Sequence, residues 1–497
     1  MEPANWDGPF IISPHDGSTL YAGTRTMWKT TDQGDSWQAL GDLTTGVDRR
    51  TLPVMGQMPD DLTPSLDDGV PYYPTISAVA ESPLRQGLIY AGTADGRLHV
   101  SRDGGERWTD VAARDMSDSD EPTVLPDFPG LPPGAWVNGI EPSRHEEARV
   151  YAVWNNYRND DYANYLYRSD DYGETWVSIT GDLPAERVLR TVREDPRNPS
   201  VLFVGAEIGL FYTMDGGVHW TELRGGMPTL PFNDLVIHPR DNDLVLGTHG
   251  RGIWILDQIN ALQELTPEVM AGPAHLFTIE PATQIRRAGG AAHAGDVHYQ
   301  GENPPNGAIL DYWLAEAAAE GTVSIAIEDE SGARVATVDG TTAQGMNRVV
   351  WDMRHDVEAG RGPLVVPGTY TARLQAAGVE SAQRFPVRED PRIDAPVDLR
   401  AAWTAALLEL AEARARVASE GSRIEEALEG IAEDDVGPRA AKLRDLRREF
   451  GELASRFARL TGAVEGVVAP LTQDQQAQRA FYMEMLETLT REAREAG

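Results

Sequence analysis

Cysteine is absent from the 497 residues, which removes disulfides, thiolate metal sites and cysteine nucleophiles. Lysine is almost absent, standing only at Lys29 and Lys442, so the positive charge is nearly all arginine. With 44 basic against 78 acidic residues the formal net charge is −34. Such a surface repels phosphate backbones, and no basic stripe overcomes the repulsion, so no nucleic-acid partner is expected. Anionic membrane surfaces are disfavoured for the same reason. There is no apolar run of about eighteen residues, so no membrane insertion is expected. The opening "MEPANWDGPF" has neither a basic region nor an apolar stretch of signal-peptide length, and no export signal is expected in the chain as written. His15, His99, His145, His219, His238 and His249 stand singly, and the acidic run Asp115 to Asp120 lacks calcium-loop spacing. No metal and no cofactor are expected.

What is present is a repeat. The pattern [Ser/Thr]-x-Asp-x-Gly-x-x-Trp occurs at 30–37 (TTDQGDSW), 101–108 (SRDGGERW), 169–176 (SDDYGETW) and 213–220 (TMDGGVHW). A short β-type run precedes each copy (TLYAGT, LIYAGT, RVYAVW, VLFVGA), and a proline-bearing turn precedes each run. A fifth unit, IHPRDNDLVLGTHGRGIWIL at 237–256, has the turn and strands but not the Asp motif. Each unit reads as three or four short antiparallel strands. In the motif, Asp32, Asp103, Asp171 and Asp215 are expected to accept backbone N–H groups two residues on, with the Ser or Thr hydroxyl joining the network. Gly34, Gly105, Gly173 and Gly217 supply positive φ, and Trp37, Trp108, Trp176 and Trp220 bury a ring against a neighbouring unit. These are structural tasks; a catalytic carboxylate need not recur in every unit.

Four-stranded units with a Trp at fixed phase stack radially into a β-propeller. The motif resembles the Asp-box, or BNR, repeat of sialidases, xyloglucan hydrolases and sortilin-type receptors. The runs "WDGPFIISPHDGSTLYAGTRTMWKTTDQGDSW", "AESPLRQGLIYAGTADGRLHVSRDGGERW" and "NDLVLGTHGRGIWILD" resemble bacterial sortilin-like, or glycosyl-hydrolase-like, BNR-repeat proteins. That resemblance implies a periplasmic or secreted family of longer proteins and a propeller lacking its N-terminal half. About five blades are expected over 1–260, incomplete, with a partner chain as one way of completing the ring.

A linker over 261–305 is expected to lead to an immunoglobulin-like β-sandwich at 306–390, read from alternating strands such as GTVSIAIEDESGARVATV and PGTYTARLQAAG. Residues 396–497 carry apolar positions at helical spacing, among them Leu443, Leu446, Phe450, Leu453 and Phe457, and predict a helical hairpin or bundle.

The Asp motif joins the third and fourth strands at one end of a blade, so a site is sought at the other end. The long segments 41–74 and 112–136 connect blades there, and 155–165 enlarges a second-to-third-strand hairpin. Ligand-binding candidates on this face are Arg25, Tyr72, Tyr73, Arg97, Trp136, Asn155, Tyr157, Arg158, Tyr162, His249 and Arg251, a mixture of rings and polar groups that suits peptide or glycan. Glycosidase chemistry needs two flanking carboxyls, and Asp95 with Glu207 is the candidate pair. Arg25, Arg97 and Arg251 imitate a sialidase arginine cluster only loosely. The expected function is a noncatalytic binding or scaffold protein of sortilin-like type; a glycoside hydrolase, sialidase-like or xyloglucanase-like, and the structural half of a larger propeller are the alternatives.

Overall fold

Five antiparallel sheets follow one another along the first part of the chain. In the computed structural model, which describes residues 4–54, 56–63, 66, 73–112, 128–286, 301–429, 431–432 and 435–496, the first four have four strands in sequence order and the fifth has three. Blade 1 comprises Phe10–Ile12, Leu20–Gly23, Thr26–Thr30 and Gln38–Asp42. Blade 2 comprises Ile76–Glu81, Ile89–Thr93, Leu98–Ser101 and Thr109–Asp110. Blade 3 comprises Trp136–Pro142, Val150–Asn156, Asp161–Ser169 and Val177–Ser178, and blade 4 Leu189–Glu194, Leu202–Ala206, Leu210–Thr213 and Thr221–Glu222. Blade 5 has Phe232–Ile237, Leu244–Thr248 and Ile253–Leu256, matching the unit that lacks the Asp motif.

The second strands of blades 2 to 4 are apolar on both faces because each of these blades is packed from two sides. In blade 3, Val150 and Ala152 join the cluster shared with blade 2, while Tyr151 and Val153 join the one shared with blade 4. Alternation, which would signal one wet face, is therefore absent.

The repeated turn is a closed hydrogen-bond unit. The hydroxyls of Thr30, Ser101, Ser169 and Thr213 donate to Oδ1 of the Asp two residues on, at 2.6–3.0 Å, and accept the N–H of the following motif glycine. Those glycines, Gly34, Gly105, Gly173 and Gly217, have φ of 94–101°, the region that favours a residue without Cβ. The expected N–H two residues beyond the Asp is corrected to the one four residues beyond. Ser36, Arg107, Thr175 and His219 each donate their backbone N–H to the same Oδ1 at 2.8–2.9 Å, since the glycine swings the chain back over the carboxylate. The side chains of these four residues fill Oδ2 at 2.6–2.8 Å. So many donors favour the charged form: the Ser36 hydroxyl and its neighbours hold Asp32 down at about 2, and the Arg107 guanidinium does the same for Asp103, also at about 2. Trp176 and Trp220 are buried as expected and Trp108 partly so, but Trp37 is 43% exposed, which corrects that expectation for blade 1.

Residues 1–265 and 266–497 form two separate units. The second begins earlier than the composition suggests. Strands Ala274–Leu276 and Ala282–Gln284, inside the segment read as a linker, are part of the sandwich. One sheet pairs Ala274–Leu276, Ala308–Leu314 and Gly345–Trp351; the other orders Ala282–Gln284, Val379–Glu389, Gly368–Ala376, Ser324–Glu328 and Arg334–Asp339. Leu310, Tyr312, Ile325, Trp351, Leu374 and Phe385 fill the space between them. Three helices follow, Val397–Glu429, Pro438–Glu465 and Gln473–Ala496, sharing a core of Trp403, Leu407, Leu446, Phe450, Phe457 and Leu486. Arg400, almost fully buried, fixes the first helix to the sandwich through Glu389 Oε2 at 2.7 Å and Gln284 Oε1 at 2.6 Å. A buried guanidinium is tolerable because it is paired and hydrogen-bonded. No described helix is long and apolar enough to cross a membrane.

Candidate functional site

Adjacent hairpins of an antiparallel blade alternate ends, so the hairpins joining second and third strands lie at the end opposite the Asp turns. A cavity of about 510 Å³ opens there, across blades 1 to 3. Its walls come from four places. The connection after blade 1 contributes Thr45, Val47, Arg49, Leu52, Pro53 and Tyr73; the hairpin tip of blade 2 contributes Ala94 to Arg97. The connection into blade 3 contributes Leu131 to Trp136, and the enlarged hairpin of blade 3 contributes Asn155, Asn156, Arg158 and Asn159.

Each polar wall group is set by a local device. Asp95 sits at the tight blade 2 tip, where Gly96 has φ of 86° and a Cβ on it would meet Gly134 at 2.8 Å, so that two loops close on each other only through glycine. Thr45 donates its N–H, at 2.7 Å, and its hydroxyl to Asp95 Oδ2. Asp95 Oδ1 is buried and accepts nothing. Asn155 donates Nδ2 to Asn138 Oδ1 at 2.8 Å, Asn138 donates to the carbonyl of Arg190, and Asn155 Oδ1 is likewise buried without a donor. Asp95 is 8% and Asn155 1% exposed, so water competes little for either oxygen. A buried acceptor lacking its donor costs on the order of 1–3 kcal/mol.

The cationic groups are better provided for. Arg97 pairs with Asp110 at 2.7 Å, and Arg49 donates to the carbonyls of Leu66 and Pro53, both at 3.2 Å, while lying over Tyr73. Arg158 stacks on Trp136, 4.1 Å from the ring centre, and on Tyr157 at 4.5 Å. In the third strand of blade 2, His99 Nε2 donates to Leu43 O at 2.7 Å, which ties that strand to the connection after blade 1; burial lowers its pKa and favours the neutral ring.

Asp95, Arg97, Tyr73, Trp136, Asn155 and Arg158 all line this one cavity, and Tyr157 lies beside it under the Arg158 and Arg190 guanidiniums. Tyr72 falls outside the described residues. Arg25 forms a surface pair with Asp42 at 3.1 Å, Tyr162 is exposed on another hairpin surface, and His249 and Arg251 are exposed at the blade 5 tip. None of these four lines the cavity. Glu207 does not line it either: it is held by Arg190, with Arg190 Nε at 2.8 Å from Oε2. The candidate carboxyl pair is therefore not brought together at this site. Among the described wall residues Asp95 is the single carboxylate, and no described group of His, Asp and Glu is arranged to hold a metal ion. Thr45, Asn138 and the Leu131–Ala135 wall were not singled out from sequence; the run "PGLPPGAW", with three prolines and two glycines fixing a loop, is the visible signal of the last.

Fold and site together define a β-propeller protein with a ligand-sized cleft at the loop end of its blades. Its fold is similar to that of the GH74 xyloglucanase from Xanthomonas campestris, with TM-score 0.36 and 16% identity over 76% of this chain and 63% of that one. The GH74 enzyme of Niastella koreensis gives TM-score 0.36 and 14% identity over 77% of this chain and 54% of that one. YCF48 bound to D1 peptide gives TM-score 0.24 and 16% identity over 49% and 76%. The chain spans about half to two thirds of the length of the two GH74 structures. No protein-family model matches the sequence, and comparison with curated proteins gives no match. At such identities the likeness is one of fold, and fold does not carry function.

Proposed function

We propose that this is a noncatalytic binding protein of sortilin-like type, built on Asp-box repeats, that takes a peptide or a glycan in the cleft of blades 1 to 3. The observation that supports it is the pair of buried acceptors, Asp95 Oδ1 and Asn155 Oδ1, facing no donor in a cavity walled by Trp136, Tyr73, Leu52 and Leu131. A ligand that presents N–H or O–H groups and an apolar face satisfies both features. Hydrolysis asks for a second carboxyl that the described wall lacks.

The test is calorimetric titration with panels of neutral oligosaccharides and of short peptides, against wild type, Asp95→Ala and Asn155→Leu. Binding that weakens at least tenfold in both variants, about 1.4 kcal/mol, supports the reading. Equal affinity in all three proteins ends it. A glycoside hydrolase is the second reading, since Asp95 is a carboxylate in the cavity with one oxygen unengaged. Turnover of aryl glycosides that Asp95→Asn abolishes would establish it in place of the first.

A further inference from the structure

The five blades allow a position-by-position comparison. Phe10, Val79, Ile140, Val192 and Leu235 hold the same place in the first strand of their blades, each paired with the same residue of the LYAG-type second strand: Ala22, Ala91, Ala152, Val204 and Leu246. In blades 2 to 5 this position faces the preceding blade and is at most 9% exposed; Phe10 is 71% exposed. Leu20 and Ala22 are half-buried where their equivalents in the later blades are fully buried. Trp37 follows suit. Trp220 reaches back to Ile179 O of blade 3 and Trp108 joins Leu40 of blade 1 against their shared cluster, whereas no described blade covers Trp37.

The opposite face of blade 5 shows the converse. Met27, Leu98, Leu166 and Leu210, at one position of the third strand, are all 0% exposed against the following blade. Ile253, their equivalent in register with Gly247, is 72% exposed. The paired glycine tells the same story. A Cβ on Gly23, Gly92 or Gly205 would strike the next blade, at Ile76 (2.7 Å), Val137 (2.2 Å) or Phe232 (2.5 Å). On Gly247 it would meet only Asp234 of its own blade, at 3.5 Å. Val236 and Ile255 extend this bare face, and among the described strands Ile253–Leu256 is the edge of its sheet.

We infer that these two faces are the two halves of one blade-to-blade interface, and that the occupant of each is a second copy of this chain. Blade 5 presents the surface that blades 1 to 4 offer to a successor, and blade 1 the surface that blades 2 to 5 offer to a predecessor. Packing blade 1 of one copy on blade 5 of another satisfies both with chemistry that the chain already uses four times. The contact is head-to-tail, so it closes a ring or grows, as its rotation dictates.

Light scattering on the full chain tests this. A mass of at least twice 54.4 kDa is expected at high protein concentration, falling on dilution. Phe10→Asp and Ile253→Asp should each return a monomer with unchanged circular dichroism and melting temperature, since both residues are exposed in the single chain. Mixed together, the two variants should form a one-to-one dimer, because each keeps one intact end. Two results overturn the inference: a wild-type monomer at every concentration, whether the Ile253–Leu256 amides exchange freely or are protected by other segments or proteins, or a mixture of variants that fails to pair.

Discussion

The two ends of the blades treat carboxylates in opposite ways. At the turn end, Asp32, Asp103, Asp171 and Asp215 have both oxygens supplied with donors from within six residues of chain. At the loop end, Asp95 takes its donors from Thr45, fifty residues earlier, and keeps one oxygen without any. A carboxylate whose bonds are complete holds shape; one whose bonds are incomplete leaves an acceptor for the ligand proposed above. Recurrence and completeness go together, which is why the motif most visible in the sequence is not where the unpartnered acceptor lies.

That contrast can be broken or sharpened by experiment. The largest effect is expected from Trp176→Ala, which removes a ring stacked on Phe128 and met edge-on by Trp154 and should cost about 3–5 kcal/mol in urea unfolding. Trp37→Ala, at the same motif position, should cost under about 1 kcal/mol, because its ring is half in water. Equal costs would contradict the account of what each ring touches. Next, Asp171→Ala should lower stability by about 1–2 kcal/mol and leave ligand affinity untouched. Asp95→Asn should do the reverse, changing the unfolding midpoint within about 0.5 kcal/mol while weakening ligand binding at least tenfold. A loss of stability in Asp95→Asn matching that of Asp171→Ala would make the two ends alike.

The smallest effect is one of pH. Asp32 and Asp103 have folded values of about 2, below the ordinary 3.8, so their stabilisation is complete above about pH 4 and is lost as pH falls towards 2. His219 runs the other way. Its bond to Asp215 raises its pKa above 6.5, so that pair stabilises most below the unfolded value and fades as pH climbs through the folded one. NMR titration of His219 should show the raised value, and Asp215→Asn should return it to the ordinary range. An unshifted His219 in the wild type would remove the blade 4 turn from this scheme.

Much of the fold was legible because the repeat writes local requirements into local residues. Gly34 and its equivalents need positive φ, Asp32 and Thr30 complete one turn, and the two-faced LYAG strands need neighbours on both sides. The missing fourth strand of blade 5 was visible as a missing motif. The sandwich start was less visible, since Ala274–Leu276 and Ala282–Gln284 are three-residue strands whose pairing is supplied by partners far along the chain. The cavity was half legible. Trp136, Asn155 and Arg97 could be placed at the loop end by topology, but the Thr45–Asp95 clamp and the Asn155–Asn138 tie join residues that no local pattern links. Glu207 reads in the sequence as an equal partner of Asp95 because sequence does not show that Arg190 already holds it.

The stacking of Arg158 on Trp136 has an optical consequence. An indole at the cleft wall, 8% exposed and with a guanidinium 4.1 Å from its centre, changes emission when either its solvent or that cation moves. If a ligand ring takes the place of the cation on Trp136, as the proposed function has it, occupancy of the cleft is expected to report itself in the intrinsic fluorescence of the unlabelled protein, and a Trp136→Phe variant to silence that change while the other indoles emit as before.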